Sequence, residues 1–309
     1  MDNNTSLNYN TNTPKNKGIQ SGTKDKFKKS FGAFVTILPV SIWMLAFFII
    51  PLILIFIVSF ASRGEAGDIV YNFTLSNYAR IFDKLYLTIF FKSILIGLAT
   101  TLICLVLGYP FAFIIARSGK KLKPLFLLLI MLPFWTNSLV RTYAMIILLR
   151  TEGLINTLLL NIGLINEPLQ LMYNNTAVMI GMLYMMFPFM VLPLYASIEK
   201  LDMNILEAAE DLGANPLNKF LKVTLPLTKG GIFSGSLLVF VPTLGLFFIT
   251  DLMGGSKVML MSNLVKNQFL TARDWPFGSA ISVVLMLVMI ILIFYYTKFS
   301  GNKDKWEVL

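Results

Sequence analysis

Apolar residues run along this chain in blocks longer than a soluble core helix needs. Phe31–Phe60, Ser93–Ala116, Pro168–Ile198, Gly230–Thr250 and Trp275–Thr297 hold no charged residue, and Pro124–Leu149 holds one, Arg141. Crossing a bilayer takes about 20 apolar residues. The pattern therefore predicts an all-α, polytopic membrane protein with six transmembrane helices. The block from Pro168 is longer than a span needs, so its first part is expected outside the membrane. Pro39, Pro51, Pro110, Pro133, Pro188, Pro193 and Pro242 fall within the blocks. Such prolines are tolerated where neighbouring helices re-satisfy the freed carbonyls. Residues 1–30, rich in Asn, Thr and Lys, read as a disordered tail. That segment is too long and polar for the basic start of a signal peptide, and the apolar run after it is too long for a signal core. Residues 31–300 form the membrane domain and 301–309 a short second tail.

One polar connection has a pattern of its own. Between the fourth and fifth blocks, within 199–229, Asp202 is placed to cap a helix start. Ile205, Ala209 and Leu212 then repeat at i, i+4 and i+7 as one apolar stripe, with Glu207, Glu210 and Asp211 on the other faces. Gly213 suits the left-handed residue that ends a helix. Asn215 is a second cap, Pro216 suits the first helical position after it, and Leu217, Phe220 and Leu221 give the second helix an apolar face. Pro226 is expected to end that helix. Helices this short need a surface to lie on. A membrane-surface helix carries Lys and Arg on its polar face, whereas this one carries acids. A protein partner is the better fit.

Composition agrees with the pattern. Only 14% of the 309 residues are charged and 56% are hydrophobic, against about 25% charged in soluble proteins. Net charge is +10, but the distribution of Lys and Arg matters more than the sum and implies no nucleic acid. With residue 1 in the cytoplasm, the inward segments 1–30, 117–123, 199–229 and 298–309 hold 6, 4, 4 and 3 basic residues. The outward segments 61–87, 150–167 and 252–274 hold 3, 1 and 3. The positive-inside rule places both termini, and the Asp202–Pro226 loop, on the cytoplasmic side. The single cysteine, Cys104, lies in an apolar block and reads as a small buried hydrophobe. The absence of His removes His-based metal sites and Ser-His-Asp triads. No phosphate-binding loop occurs, and the run GGSK at 254–257 reads as a turn. No catalytic residue and no metal site is expected.

Glu207-Ala208-Ala209, Gly213 and then Val223-x-Leu225-Pro226 resemble the EAA loop of ABC importer permeases, with Val223 in place of the usual Ile. The stretches LGYPFAF (107–113), LPFWTNSLVRTYA (132–144), PLYASIEKLD (193–202), DLMGG (251–255) and RDWPFGSA (273–280) are similar to the spermidine/putrescine permeases of that class. The resemblance covers all but the first 30 or so residues. It implies a multi-pass permease of the inner or cytoplasmic membrane, in contact with lipid and non-catalytic, that binds no cofactor. It also implies a second, homologous permease subunit, a cytoplasmic ABC ATPase dimer using ATP and Mg, and an external polyamine-binding protein. The EAA residues Glu207, Ala208, Ala209, Gly213, Leu225 and Pro226 would form the coupling element that docks on the ATPase.

A cationic amine crossing the membrane calls for carboxylates, aromatic faces and oxygens. Two readings stand for Asp251, at the outer end of the fifth block: a carboxylate on the path, or the ion-pair partner of Arg141. Trp135, Asn137, Ser138 and Tyr143 supply an aromatic, oxygen-rich segment, for which anchoring at the membrane interface is an equal explanation. Asp274 and Trp275 open the sixth block; they meet the binding protein or the cation, or Asp274 caps the helix, which is the favoured reading. Gly97, Gly108, Gly181, Gly235 and Gly245 are expected at close helix contacts. Two other classes compete. An ion-driven secondary transporter would favour internal inverted repeats, and none is visible between the halves. A membrane enzyme would need clustered acids or His.

Overall fold

The computed structural model describes residues 37–65 and 67–300, with only the backbone at Tyr296, Thr297, Phe299 and Ser300. The tails expected at 1–30 and 301–309, and the start of the first expected span, lie outside these residues. The chain divides into two units, Met1–Leu54 and Ile55–Leu309. The first holds most of helix α1 (Ile37–Val58), whose Leu45–Ile49 turn is π-helical. Pro51 supplies no N–H and its ring crowds the carbonyl four residues back, so the turn just before it widens.

The second unit takes in the last turn of α1 and then a hairpin of two-residue strands, β1 (Ser62–Arg63) paired antiparallel with β2 (Ile69–Val70). The rest is helical. In order come α2 (Ser76–Ile81), α3 (Lys84–Arg117), α4 (Leu122–Met131), α5 (Ser138–Leu149), α6 (Leu154–Asn161) and α7 (Asn175–Glu199). Then follow α8 (Met203–Asp211), α9 (Pro216–Leu227), α10 (Lys229–Gly245), α11 (Met261–Leu270) and α12 (Trp275–Ser300). Among the described residues, five helical stretches are long and apolar enough to cross a membrane: Ile37–Val58, Lys84–Arg117, Ser138–Asn161, Asn175–Glu199 and Trp275–Tyr295. A sixth counts if α9 and α10, bent by 68° to each other, form one broken span.

Helices α3, α7 and α10 pack most closely and bury the main core. Met190 is fully buried at its centre. A Cβ added to Gly108 of α3 would come within 3.2 Å of the Met190 side chain, and one on Gly235 of α10 within 2.9 Å. A flexible thioether between two bare backbones lets three helices approach at one level. Gly97 and Gly181 also sit at close contacts, with Phe240 and with Met253 and Ile249. Gly245 does not, since nothing lies within 4 Å of its Cβ position. A second core, built on Ile89, Met261, Leu264, Phe277 and Ile281, lies at the N-terminal end of α3.

Two expected boundaries change. The third block is not one helix from Pro124 to Leu149. After α4 the chain tightens into a 3-10 turn, Leu132–Trp135, and Thr136 is extended. Asn137 then caps α5, its Oδ1 accepting the Leu139 N–H at 2.8 Å. Pro133 weakens continuation and the Asn137 side chain satisfies a new helix start, so the helix breaks there. The fifth block also begins differently. Pro226 sits inside the short helical turn Leu225–Leu227, and the bend falls at Thr228. The π-helical turn Phe220–Thr224 absorbs the proline, as in α1.

Candidate functional sites at the two ends of the bundle

One end of the second unit gathers Arg117, Lys123, Glu199 and the α8–α9 loop. The Lys123 ammonium lies 2.8 Å from the Glu199 carboxylate, joining α4 to the end of α7. The loop is built by its caps. Asp202 Oδ1 accepts the Asn204 N–H at 3.0 Å. Gly213, with φ of +81°, reverses the chain, while the Gly213 and Ala214 N–H groups return to the Glu210 and Ala209 carbonyls at 2.8 and 3.0 Å. Asn215 Oδ1 accepts the Asn218 N–H at 2.7 Å, with Pro216 in the first helical position. Lys219 pairs with Glu210 across the turn.

The apolar face of α8 is not the expected one. Leu206 is the buried residue, while Ile205 is half exposed and Leu212 is 89% exposed. The helix stops just before Leu212, and the turn at Gly213 leaves that side chain outside the packed face. Met203, Ile205, Leu212 and Leu217 are therefore exposed apolar side chains on a polar connection, as at a protein contact. Glu207 and Ala208 are exposed and Ala209 is half buried.

The loop is tied to the core at one place. The Tyr109 hydroxyl of α3 and Thr228 Oγ1 share a hydrogen bond of 2.8 Å, and the Tyr109 ring meets Phe220 edge-on at 5.3 Å. Thr228 Oγ1 also donates to the Thr224 carbonyl at 2.8 Å, and Ser197 Oγ of α7 reaches the Thr228 carbonyl at 3.5 Å. The 68° bend between α9 and α10 is thus held by groups from α3 and α7. Leu225 packs on the main core, while Pro226 is exposed.

The opposite end carries the singled-out acids. Asp251 lies in the π-helical turn Thr250–Gly254 that follows α10. Its two oxygens meet the Asn263 amide and the Lys266 ammonium, both on α11. Asn263 Nδ2 also donates to the Phe247 carbonyl at 3.0 Å, and the Lys266 ammonium lies 5.8 Å from the Phe247 ring centroid. The ion pair with Arg141 does not form. The Arg141 guanidinium lies instead 5.1 Å from the Phe134 ring, and its Nε has no hydrogen-bond partner. Phe134 lies in the 3-10 turn that precedes α5, across the break from Arg141.

Asp274 caps α12, with Oδ1 accepting the Phe277 N–H at 3.2 Å. It also pairs with Arg80 of α2 at 2.8 Å. Burial pulls the Arg80 guanidinium down, but the bonds to Asp274 and Tyr86 outweigh it and hold its pKa above the ordinary arginine value. The same guanidinium lies 3.9 Å from the Phe277 ring. Trp275 is half exposed beside Phe269.

The four residues of the oxygen-rich segment are only partly brought to this site. Helix α5 touches the Thr250–Gly254 turn, which places Ser138 and Tyr143 on a neighbouring element. Asn137 spends its side-chain oxygen on the cap, and Trp135 is 78% exposed at the break. Lys266, Asn263 and Arg80 complete the acid sites without having been expected. Their only local signal is the i, i+3 spacing of Asn263 and Lys266, which shares one helix face. Gly255 at φ +58° makes the expected turn at 254–257.

Residues 108–300 match the family described as "Binding-protein-dependent transport system inner membrane component". The chain is 44% identical over 279 residues to "Spermidine/putrescine transport system permease protein PotB" of Haemophilus influenzae, covering 90% of this chain and 95% of that protein. It is 47% identical over 263 residues to the protein of the same name from Escherichia coli strain K12, covering 85% and 96%. Among solved structures it resembles a chain of a bacterial alginate ABC transporter crystallised with an alginate pentasaccharide-bound periplasmic protein. The TM-score is 0.75 over 93% of this chain and 99% of that one, at 14% identity, a likeness of fold alone.

Proposed function

The chain belongs to the family of binding-protein-dependent transport system inner membrane components, and on that premise we propose that it passes polyamines of the spermidine/putrescine class inward across the membrane. It is a multi-pass inner membrane permease subunit of an ABC importer; ATP hydrolysis belongs to a partner ATPase. The observation that carries the polyamine reading is the identity of 44% and 47%, over most of the chain, to permeases of that name.

In this reading residues 31–300 make six spans, with α10 as the core of the fifth, and both termini lie in the cytoplasm. The basic excess around Arg117–Lys123 and Lys219–Lys229 supports that orientation. The α8–α9 loop then faces the cytoplasm and docks on one subunit of a Mg-ATP-hydrolysing dimer. The exposed Leu212 and Leu217 support a protein partner there. Glu207, Ala208 and Ala209 shape the docking helix, Gly213 sets its turn, and Leu225 and Pro226 lead the second helix into the core. Closure of the ATPase dimer moves the loop, and the Tyr109–Thr228 tie passes the motion to α3 and α10. A second, homologous permease faces this one, and an external binding protein delivers the amine near Asp251, Asp274 and Trp275. Weak, multiple contacts along the way let the cargo leave. Trp135, Asn137, Ser138 and Tyr143 flank that entrance.

The test is ATPase activity of the complex reconstituted in lipid with its binding protein. Spermidine or putrescine is expected to stimulate it. Silence with both amines refutes the cargo while leaving the permease architecture standing.

A further inference from the structure

Asp251 is the only carboxylate in the Thr250–Gly254 turn, and the group that neutralises it is itself a primary alkylammonium. The Lys266 ammonium meets Asp251 Oδ2 and faces the Phe247 ring at 5.8 Å. An ammonium has three N–H donors, and the described contacts use one. Both side chains stay open to the surroundings, at 30% exposure for Lys266 and 32% for Asp251. A half-exposed ion pair of this kind is weakly held.

The pair is not what fastens α11. The Met261 N–H donates to Ser93 Oγ of α3 at 2.8 Å, Asn263 bonds the Phe247 carbonyl at 3.0 Å, and Met261 and Leu264 are buried. Helix α11 is anchored at its first turn, and Lys266 lies one turn farther on. Its ammonium therefore occupies a place made of a carboxylate, itself held by the Asn263 amide N–H, and an aromatic face, without being required to hold the helix. Carboxylates and aromatic faces within about 6 Å are what an alkylammonium ligand needs.

We propose that Asp251, held by the Asn263 amide N–H, and the Phe247 ring form an ammonium site, and that Lys266 fills it as a tethered stand-in that a terminal ammonium of the cargo displaces. For a polyamine the inference rests on the proposed function. Exchange of one primary ammonium for another leaves the charge on Asp251 balanced throughout. The resting site is never a bare carboxylate, so inorganic cations meet a competitor already in place. A tethered group acts at millimolar effective concentration when its linker is short. Removing a pair worth up to about 1 kcal/mol should thus improve binding of a free ammonium up to about fivefold.

The experiment uses the complete transporter in lipid nanodiscs with n-propylammonium as the probe and n-propanol as its neutral counterpart. In Lys266→Met, n-propylammonium is expected to raise the melting temperature at down to about one-fifth of the concentration needed in the unsubstituted protein. n-Propanol should do nothing, and Asp251→Asn combined with Lys266→Met should abolish the response. Lys266→Gln, which keeps a polar side chain, is expected to behave as Lys266→Met does and serves if that variant assembles poorly. Equal sensitivity with and without Lys266, or a response that survives Asp251→Asn, overturns the proposal. Polyamine-stimulated ATPase activity of the unsubstituted complex is read alongside. If it is absent while the propylammonium response follows Lys266 and Asp251, the site stands and the polyamine cargo falls. If it is present without that response, the stand-in falls and the cargo stands.

Discussion

Gly230 and Gly231 are adjacent, yet their surroundings differ enough to make each the control for the other. Both lie in the first turn of α10, just past the bend at Thr228. A Cβ on Gly230 meets nothing within 4 Å. A Cβ on Gly231 would stand 2.5 Å from the Ser197 Cβ and 2.7 Å from the Pro193 carbonyl oxygen. Ordinary contact begins at 3.4 Å, so α10 must retreat from α7 by 0.7 to 0.9 Å. Pro193 offers backbone, which cannot swing aside. In both variants Ala is a better helix former than Gly by about 1 kcal/mol. That gain cancels in the comparison, and the clash remains, worth about 1–3 kcal/mol for an overpacked contact. Gly230→Ala should therefore be as stable as the unsubstituted chain or more so, and Gly231→Ala less stable than Gly230→Ala by about 1–3 kcal/mol. Reversible unfolding of the two variants in mixed micelles reads the difference directly. Equal unfolding midpoints would refute the close α7–α10 crossing and, with it, the reason for glycine at 231.

Other outcomes follow from single contacts. Gly213→Val puts a β-branched residue at φ +81°, a cost of roughly 1–2 kcal/mol or more; co-purification of the ATPase should fall, while Gly213→Asn, tolerant of that conformation, should retain it. Tyr109→Phe removes the hydroxyl bound to Thr228 at 2.8 Å and should cost about 0.5–1.5 kcal/mol, with transport falling more than ATPase activity if the tie carries motion. Asp274→Asn keeps an oxygen for the α12 cap and loses the Arg80 pair, whereas Asp274→Ala loses both; a further loss of about 1 kcal/mol in the alanine variant reads the cap. Cys104 is fully buried, so the native chain should resist a membrane-impermeant maleimide, and Lys120→Cys and Glu152→Cys should label from opposite faces of the membrane.

Much of the helix chemistry was legible from local residues. Asp202, Asn215 and Gly213 do in space what their types and spacing imply, because a cap or a left-handed turn is decided within three or four residues. The α8 stripe was not. In a nine-residue helix, Leu206 belongs to one plausible face and Ile205 and Leu212 to another, and only docking against the core chooses between them. Asn137 shows a local claim that residue type alone does not announce. A pathway would draw on its oxygen, and a backbone N–H two residues away takes it. The Asp251–Lys266 pair spans 15 residues and exists only because α11 folds back on the end of α10. Nothing in the order of those residues distinguishes Lys266 from Arg141 as the partner, since charge alone cannot say which cation the chain path delivers.

Helix α3 runs unbroken for 34 residues, about 51 Å at 1.5 Å per residue, while the hydrocarbon layer is only about 30 Å thick. It is longer than that layer is thick. Tyr109 fastens it to Thr228 near one end, and Ser93 fastens it to the start of α11 toward the other. Those two pins are roughly 24 Å apart along the axis, so a rigid tilt of about 5° about the first sweeps the second by roughly 2 Å. That stroke is most of a hydrogen bond's length, and it is delivered to the helix that carries Lys266. On the proposed docking, a pull at the Thr228 end and a loosening at the Lys266 end would then be one movement of one helix, with no relay of side chains between them.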